Sequence, residues 1–187
     1  MKQLFMALLV ACSTTSLPAR AQDYSGLFMT LDDYKAAKLS YKDAKINADV
    51  AFHPKLVKVS GTEKHQFEKG QLYGFKDARN RVFRFYENNS YQVVDTTHFE
   101  MYSRVVNITN GKERTKEKLY YFSTEPGAQV QLLTKENLKK AFPGNERFHV
   151  MLDMQFKTDR SLQRDILKDG ASKVKQLYAV SLNNLGV

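Results

Sequence analysis

The sequence predicts an α+β fold in which an antiparallel β-meander sheet is covered by C-terminal helices. In the middle of the chain, segments rich in aromatic and β-branched residues alternate with turn signals such as Asn88-Asn89 and Pro126-Gly127. Short connections of this kind favour antiparallel neighbours. Toward the end, apolar residues recur at helical spacing. Because a single sheet must bury one face, these helices are its expected cover.

The first half of the chain predicts mainly strands. A short strand over 26–29 precedes Thr30, which is a suitable N-cap for a helix over 31–38, and Asp32 and Asp33 favour the first turn of that helix. The segments that follow are rich in residues typical of strands and are separated by turn signals. The predicted strands are 46–52, 56–60, 71–75, 82–86, 91–95, 99–108, 119–123 and 129–133.

Four helices are predicted after residue 133. Thr134 caps a helix over 135–142, which Pro143-Gly144 ends. Asn145, Asp159 and Ser172 mark the starts of the next three. Their apolar stripes are Phe148, Met151, Leu152 and Phe156, then Leu162, Ile166 and Leu167, then Val174, Leu177, Tyr178 and Leu182.

Composition indicates one folded domain behind an export signal. The chain has 187 residues, 42% of them hydrophobic, with 12 Phe and 10 Tyr, which is enough for a core and too aromatic for a disordered chain. Residues 22–187 contain no internal repeat and no Pro-, Gly- or Ser-rich linker. They are therefore interpreted as a single α+β domain, β-rich over 22–133 and helical over 134–187.

Residues 1–21 predict a cleavable secretory signal. Lys2 precedes an apolar run over 4–11, and small residues at Ala19 and Ala21 suit signal peptidase. The run is far shorter than the roughly 20 residues that span a bilayer. The mature chain is therefore expected to begin at Gln22, without a transmembrane span, in the periplasm or outside the cell. A buried N-terminal helix is the structural alternative.

Cys12 leaves a second processing route open. Leu9-Val10-Ala11-Cys12 resembles the lipobox of bacterial lipoproteins, so lipidation at Cys12 and attachment to the outer membrane are the alternative to cleavage after Ala21. Cleavage after Ala21 removes the single cysteine. The mature chain then has no disulfide, thiol nucleophile or thiolate metal site.

Charge narrows the possible partners. The chain has 29 basic and 20 acidic residues. Removal of Lys2 and Arg20 with the signal leaves 27 basic residues, so the net charge of the mature chain is 27 − 20 = +7. A basic exported protein can contact anionic envelope lipid, acidic glycan or another envelope protein, whereas nucleic acid is not expected there. The alternative is a basic surface that serves solubility alone.

Two stretches at the ends of the mature chain resemble exported proteins of Bacteroidetes-type bacteria. One is Gly26-Leu27-Phe28-Met29-Thr30 followed by Leu31-Asp32-Asp33-Tyr34, and the other is 136–142 followed by Phe156, Asp159 and Leu162. The function of that group is unknown. The resemblance implies an exported compartment and this fold, and it implies no active residue.

No residue pattern predicts catalysis, a cofactor or a metal. His98 with Glu100 and Glu63 with His65 would share strand faces, but a metal site needs a third ligand. Asp95 and His98 point to opposite faces of a continuous strand. The sequence has no nucleophile elbow and no phosphate-binding glycine loop. The chain is therefore interpreted as an exported, non-catalytic envelope protein with a binding or assembly role and an unknown ligand. The enzymatic alternative is a hydrolase of unknown substrate, which a convergent His–carboxylate pair in a deep pocket would favour.

One constellation goes beyond composition. If Asn110-Gly111 forms a two-residue hairpin turn, Thr109 pairs with Lys112, and further along Phe99 pairs with Phe122 and Met101 with Tyr120. Like charges in a row repel one another, so a protein that needs only stability would mix them. The hairpin is either a solvated edge whose lysines discourage aggregation or an anion-binding surface. The residues that share this face are Lys112, Arg114, Lys116 and Lys118.

Overall fold

A computed structural model of the chain describes residues 24–110, 113–165 and 172–183. Within these residues the fold is α+β, as the sequence predicts: a curled antiparallel sheet, a smaller sheet and helices that are mostly C-terminal. The predicted signal, Cys12, Lys112, Ile166 and Leu167 lie outside the described residues.

The main sheet has seven strands in the order β1-β5-β6-β7-β8-β9-β10. From β5 onward each strand pairs with the next along the chain, so the predicted meander is confirmed. The strands are β1 (Gly26–Phe28), β5 (Gly74–Lys76), β6 (Val82–Tyr86), β7 (Asn89–Asp95), β8 (Glu100–Asn110), β9 (Glu113–Ser123) and β10 (Gln131–Leu132).

A separate three-stranded sheet was not predicted. It consists of β2 (Lys45–Asn47), β3 (Leu56–Ser60) and β4 (Lys64–Glu68), in that order. Its Val57 and Val59 pack with Phe75 and Phe85 of the main sheet in a common core. The small sheet therefore covers a part of the main sheet that the helices do not reach.

Side-chain caps fix where several helices begin. Thr30 accepts a hydrogen bond from the Asp33 backbone N–H at 3.1 Å, and Thr134 and Asn145 cap their helices in the same way. The fourth helix begins at Asp159, as predicted, and Thr158 is its N-cap. The helices are α1 (Leu31–Lys35), α2 (Lys135–Ala141), α3 (Glu146–Gln155), α4 (Asp159–Gln163) and α5 (Lys173–Leu182).

The C-terminal helices cover the main sheet as expected. Phe148, Leu152 and Phe156 of the α3 stripe are buried against the sheet residues Met101 and Phe122. Two further residues expected in this core are only half-buried at its edge, namely Leu177 and Tyr178.

Leu152→Ala is expected to lower the free energy of unfolding by about 3 kcal/mol, because it leaves a cavity under a fully buried side chain. Met154→Ala in the same helix is the matched control, since Met154 is 82% exposed. Chemical denaturation measures both. Equal stabilities of the two variants would contradict the layer arrangement.

Candidate functional site

The β8–β9 hairpin extends beyond its neighbours in the sheet. On one side β7 pairs with β8 only as far as Ser103, and on the other β10 pairs with β9 only at Tyr121 and Phe122. Residues 104–110 and 113–119 therefore form a two-stranded ribbon, which we call the basic ribbon.

The predicted register of this hairpin is wrong by two residues. Thr109 pairs with Arg114 rather than Lys112, and Met101 pairs with Phe122 rather than Tyr120. The predicted Phe99–Phe122 pair does not form, because Phe122 pairs with Met101 and Phe99 lies before the start of β8 at Glu100. Since side chains alternate with a period of two, a slip of two residues leaves every side chain on its predicted face.

Three of the four predicted cations lie together on that face. Arg114, Lys116 and Lys118 are exposed and project from the same side of the ribbon, opposite Thr109, Asn107 and Val105 respectively. Lys112 lies outside the described residues. Val105 is 60% exposed, so an apolar side chain stands beside Lys118. The only carboxylate among residues 114–118 is that of Glu117, on the other face, 4.0 Å from Arg164.

A cleft opens at the base of the basic ribbon, between the two sheets. We call it the inter-sheet cleft; its volume is about 690 Å³. Strands of the main sheet and the segments that flank the small-sheet strands line it, including Val50 and Pro54 between β2 and β3, and Val105 and Lys118 on the ribbon. Sequence reasoning missed the cleft, because it exists only through the packing of the small sheet on the main one.

A buried lysine is part of this cleft. Lys69 is 4% exposed, donates a hydrogen bond to the Asn88 carbonyl at 3.2 Å, and stands 5.8 Å from the centre of the Phe85 ring. Burial lowers the pKa of Lys69; the carboxylate of Asp49 opposes this shift and the charge of Arg104 adds to it. The cleft therefore holds a partly desolvated cation.

An exposed aromatic side chain lies on a turn beside the same cleft. Phe52 is 98% exposed, between Val50 and Pro54, both of which line the cleft. His53 donates a backbone hydrogen bond to the Val50 carbonyl at 3.0 Å, which closes a turn around Ala51 and Phe52. Phe52 has a φ of 63°, a position that Gly or Asn normally takes in a type II turn. Seven other non-glycine residues of the described part also have a positive φ, so the combination of this backbone conformation with a fully exposed aromatic ring is what distinguishes Phe52.

The histidine–carboxylate pairs do not form a deep site. His65 lies 3.4 Å from Glu63, and both line a small pocket of about 240 Å³. Asp95 instead binds Lys175, at 3.2 Å, and His98 packs against the Tyr178 ring. In residues 24–110, 113–165 and 172–183, no three His, Cys, Asp or Glu side chains converge as metal ligands.

The opposite face of the main sheet carries a buried polar cluster that sequence reasoning also missed. Arg84 is 4% exposed and donates hydrogen bonds to the Tyr102 hydroxyl at 2.9 Å and to the Ala128 carbonyl at 2.7 Å. Burial raises the pKa of the nearby Glu100, although Lys175 and Arg84 oppose the shift. Because Arg84 holds the loop over 124–130 against the sheet, we assign the cluster a structural role.

The described part of the chain has no helix long and apolar enough to cross a bilayer. Comparison of the chain with models of known protein families, with curated proteins and with solved structures finds no match.

Proposed function

We propose that this chain is an exported envelope protein that acts by binding, and that it docks onto an anionic lipid surface. One observation carries the proposal: Lys118, on the cationic face of the protruding ribbon, lines the inter-sheet cleft, and so do Val50 and Pro54, which flank the 98% exposed Phe52. Cations and an apolar side chain are the two components with which a peripheral protein holds an anionic membrane.

Magnitudes support a combined contact. Each cation near an anionic membrane contributes about 1 kcal/mol within a Debye length of about 8 Å. Burial of one Phe side chain in the acyl boundary contributes about 1.5–3 kcal/mol. Either contribution alone gives weak, reversible binding, whereas Arg114, Lys116, Lys118 and Phe52 together give useful affinity.

Strain at Phe52 also favours this function. An L-residue in the left-handed region is less stable there by roughly 1–2 kcal/mol, and a solvent-exposed Phe gains nothing from packing in return. A role outside the fold accounts for both features. An acidic glycan or another envelope protein would also meet the cations, but neither requires a projecting apolar ring.

The triple variant R114Q/K116Q/K118Q is expected to bind anionic vesicles roughly 100-fold more weakly than the wild type at low salt. Its fold stability should barely change, because the three side chains are exposed. Sedimentation with phosphatidylglycerol-containing vesicles measures affinity, and phosphatidylcholine vesicles test the need for anionic lipid.

A triple variant of equal charge provides the matched control. K58Q/K64Q/K157Q also removes three exposed cations, which lie on the small sheet and after α3. It should retain most of the vesicle affinity. If both triple variants lose affinity equally, net charge and not the basic ribbon determines binding. If neither loses any, docking through the ribbon is wrong.

A further inference from the structure

The inter-sheet cleft contains a polar atom that the protein does not satisfy. The Ser90 hydroxyl is buried and has no hydrogen-bond partner among the described residues. Ser90 lines the cleft and also an adjoining pocket of about 350 Å³. An unsatisfied buried hydroxyl is unfavourable, and native proteins rarely keep one without a reason. A polar ligand in the cleft would supply the missing partner.

Lys69 gives a second, independent indication. Its ammonium group has three donors, and Asn88 accepts one of them. In the described residues no carboxylate lies within 4 Å of this ammonium, although Asp49 lines the same cleft. A cation that is 4% exposed and lacks a close anion is costly to bury. An anionic group on a ligand would compensate for that cost.

The remaining lining fits a hydroxyl-rich molecule. Gln92 and Ser103 provide amide and hydroxyl groups next to Ser90, on neighbouring strands. The partly exposed Phe83 ring adds apolar surface; it is stacked on Phe75 with centroids 4.6 Å apart, and the Arg81 guanidinium, which also lines the cleft, lies 5.4 Å from its centre as a second cation for an anionic group. The cleft volume falls within the 300–1,000 Å³ that is usual for small-ligand sites.

We propose that the inter-sheet cleft binds an anionic saccharide. Lys69 contacts the carboxylate or phosphate of the sugar, and Ser90, Gln92 and Ser103 bind its hydroxyl groups. The saccharide is either a soluble molecule or the headgroup of a glycolipid. This site is separate from membrane docking, because Lys69 and Ser90 are not needed for the ribbon's cationic face.

Isothermal titration of the purified exported protein with digalacturonate and with glucose 1-phosphate tests the proposal, and neutral disaccharide is the ligand control. We expect saturable binding of an anionic probe and none of the neutral sugar. Lys69→Met should weaken binding roughly tenfold to 100-fold. Lys58→Met is the matched control, since Lys58 is an exposed lysine of the small sheet, which ends one residue before Lys69, and it should bind as the wild type does.

Ser90→Ala keeps the test informative if Lys69→Met folds poorly. Removing an unpaired hydroxyl should leave the thermal midpoint equal or higher, while the ligand loses a partner and binds several-fold more weakly. If Ser90 had a purely structural role, its replacement would not weaken ligand binding while leaving the thermal midpoint unchanged or raised. The Ser90→Ala result therefore decides the question without Lys69.

The variant R114Q/K116Q separates the two proposals. It retains Lys118, which lines the cleft, so it should bind saccharide normally even where vesicle binding falls. Phosphatidylcholine vesicles that carry a phosphorylated glycolipid identify the source of the saccharide. If these vesicles bind the wild type but not Lys69→Met, the ligand is a glycolipid headgroup. If only the soluble probes bind, the ligand is a free saccharide. If no probe or glycolipid binds in a manner dependent on Lys69 or Ser90, the saccharide site is overturned.

Discussion

Lys175→Met is expected to lower the free energy of unfolding by about 3 kcal/mol, at the lower end of the effect of removing one partner of a buried ion pair, because the Asp95 side chain left behind is 21% exposed. Lys175 of α5 is 5% exposed, and its ammonium lies 3.2 Å from the Asp95 carboxylate. It also donates hydrogen bonds to the backbone carbonyls of Asp95, Thr97 and Phe99. One side chain thus fastens the last helix to the β7–β8 connection.

The loss should depend on pH, because the ion pair titrates through Asp95. Burial raises the pKa of Asp95, but hydrogen bonds from Thr97 and the charge of Lys175 outweigh it, so the pKa lies below the usual carboxyl value. A lowered pKa in the folded state contributes stability above the unfolded-state value, and this stability is lost as pH falls through the folded pKa. Lys175→Met should therefore reduce the acid sensitivity of unfolding.

Denaturant titration from neutral to acid pH measures both effects. Gln176→Met in the same helix is the control, since Gln176 is exposed and its replacement should change little. A loss in Lys175→Met that is the same at every pH would indicate packing around the Phe99 ring, 4.5 Å from the ammonium, rather than the ion pair.

The meander could be predicted because its strands and turns are marked by residues that are close together in the sequence. The strand over Val82–Tyr86 was predicted with its observed bounds, since aromatic and β-branched residues fill it and turns flank it. Strand β4 was missed because His65 and Phe67 alternate in it with the polar residues Lys64, Gln66 and Glu68, which are not typical of strands. Its pairing with β3 depends on tertiary contact, which propensity does not encode.

The basic ribbon could also be predicted from local sequence, whereas the inter-sheet cleft could not. The shared face of Arg114, Lys116 and Lys118 follows from strand alternation alone, and it therefore survives the two-residue error in register. The cleft residues Lys69 and Ser90 lie in segments that read as ordinary surface, and only packing of the small sheet brings them together. No sequence pattern marks such a convergence.

The exposed position of Phe52 on a turn was also not predicted, and the reason lies in the local sequence. Its segment, 46–52, reads as a strand, yet β2 ends at Asn47 and Phe52 sits on a turn with positive φ. A glycine at that position would have signalled the turn. Because the residue is Phe and not Gly, the turn could not be predicted from the sequence. The presence of Phe where Gly is usual also makes Phe52 a residue to test.

Adding Phe52→Gly to R114Q/K116Q/K118Q is expected to abolish docking on anionic vesicles. The three cations and the aromatic ring together contribute about 5 kcal/mol, which corresponds to a several-thousandfold change in affinity. Salt should weaken the wild type strongly and the single Phe52→Gly variant as well, because that variant retains the cations. Vesicle sedimentation across a salt series measures each contribution separately.

Phe52→Gly alone should move stability and affinity in opposite directions. Glycine relieves the positive-φ strain, so unfolding becomes harder by up to about 1 kcal/mol, although its freedom in the unfolded chain offsets part of the gain. The lost ring weakens vesicle binding roughly tenfold or more. Phe52→Leu, which keeps an apolar side chain and the strain, should retain most of the affinity. A Phe52→Gly protein that binds vesicles as tightly as the wild type would show that Phe52 does not enter the membrane.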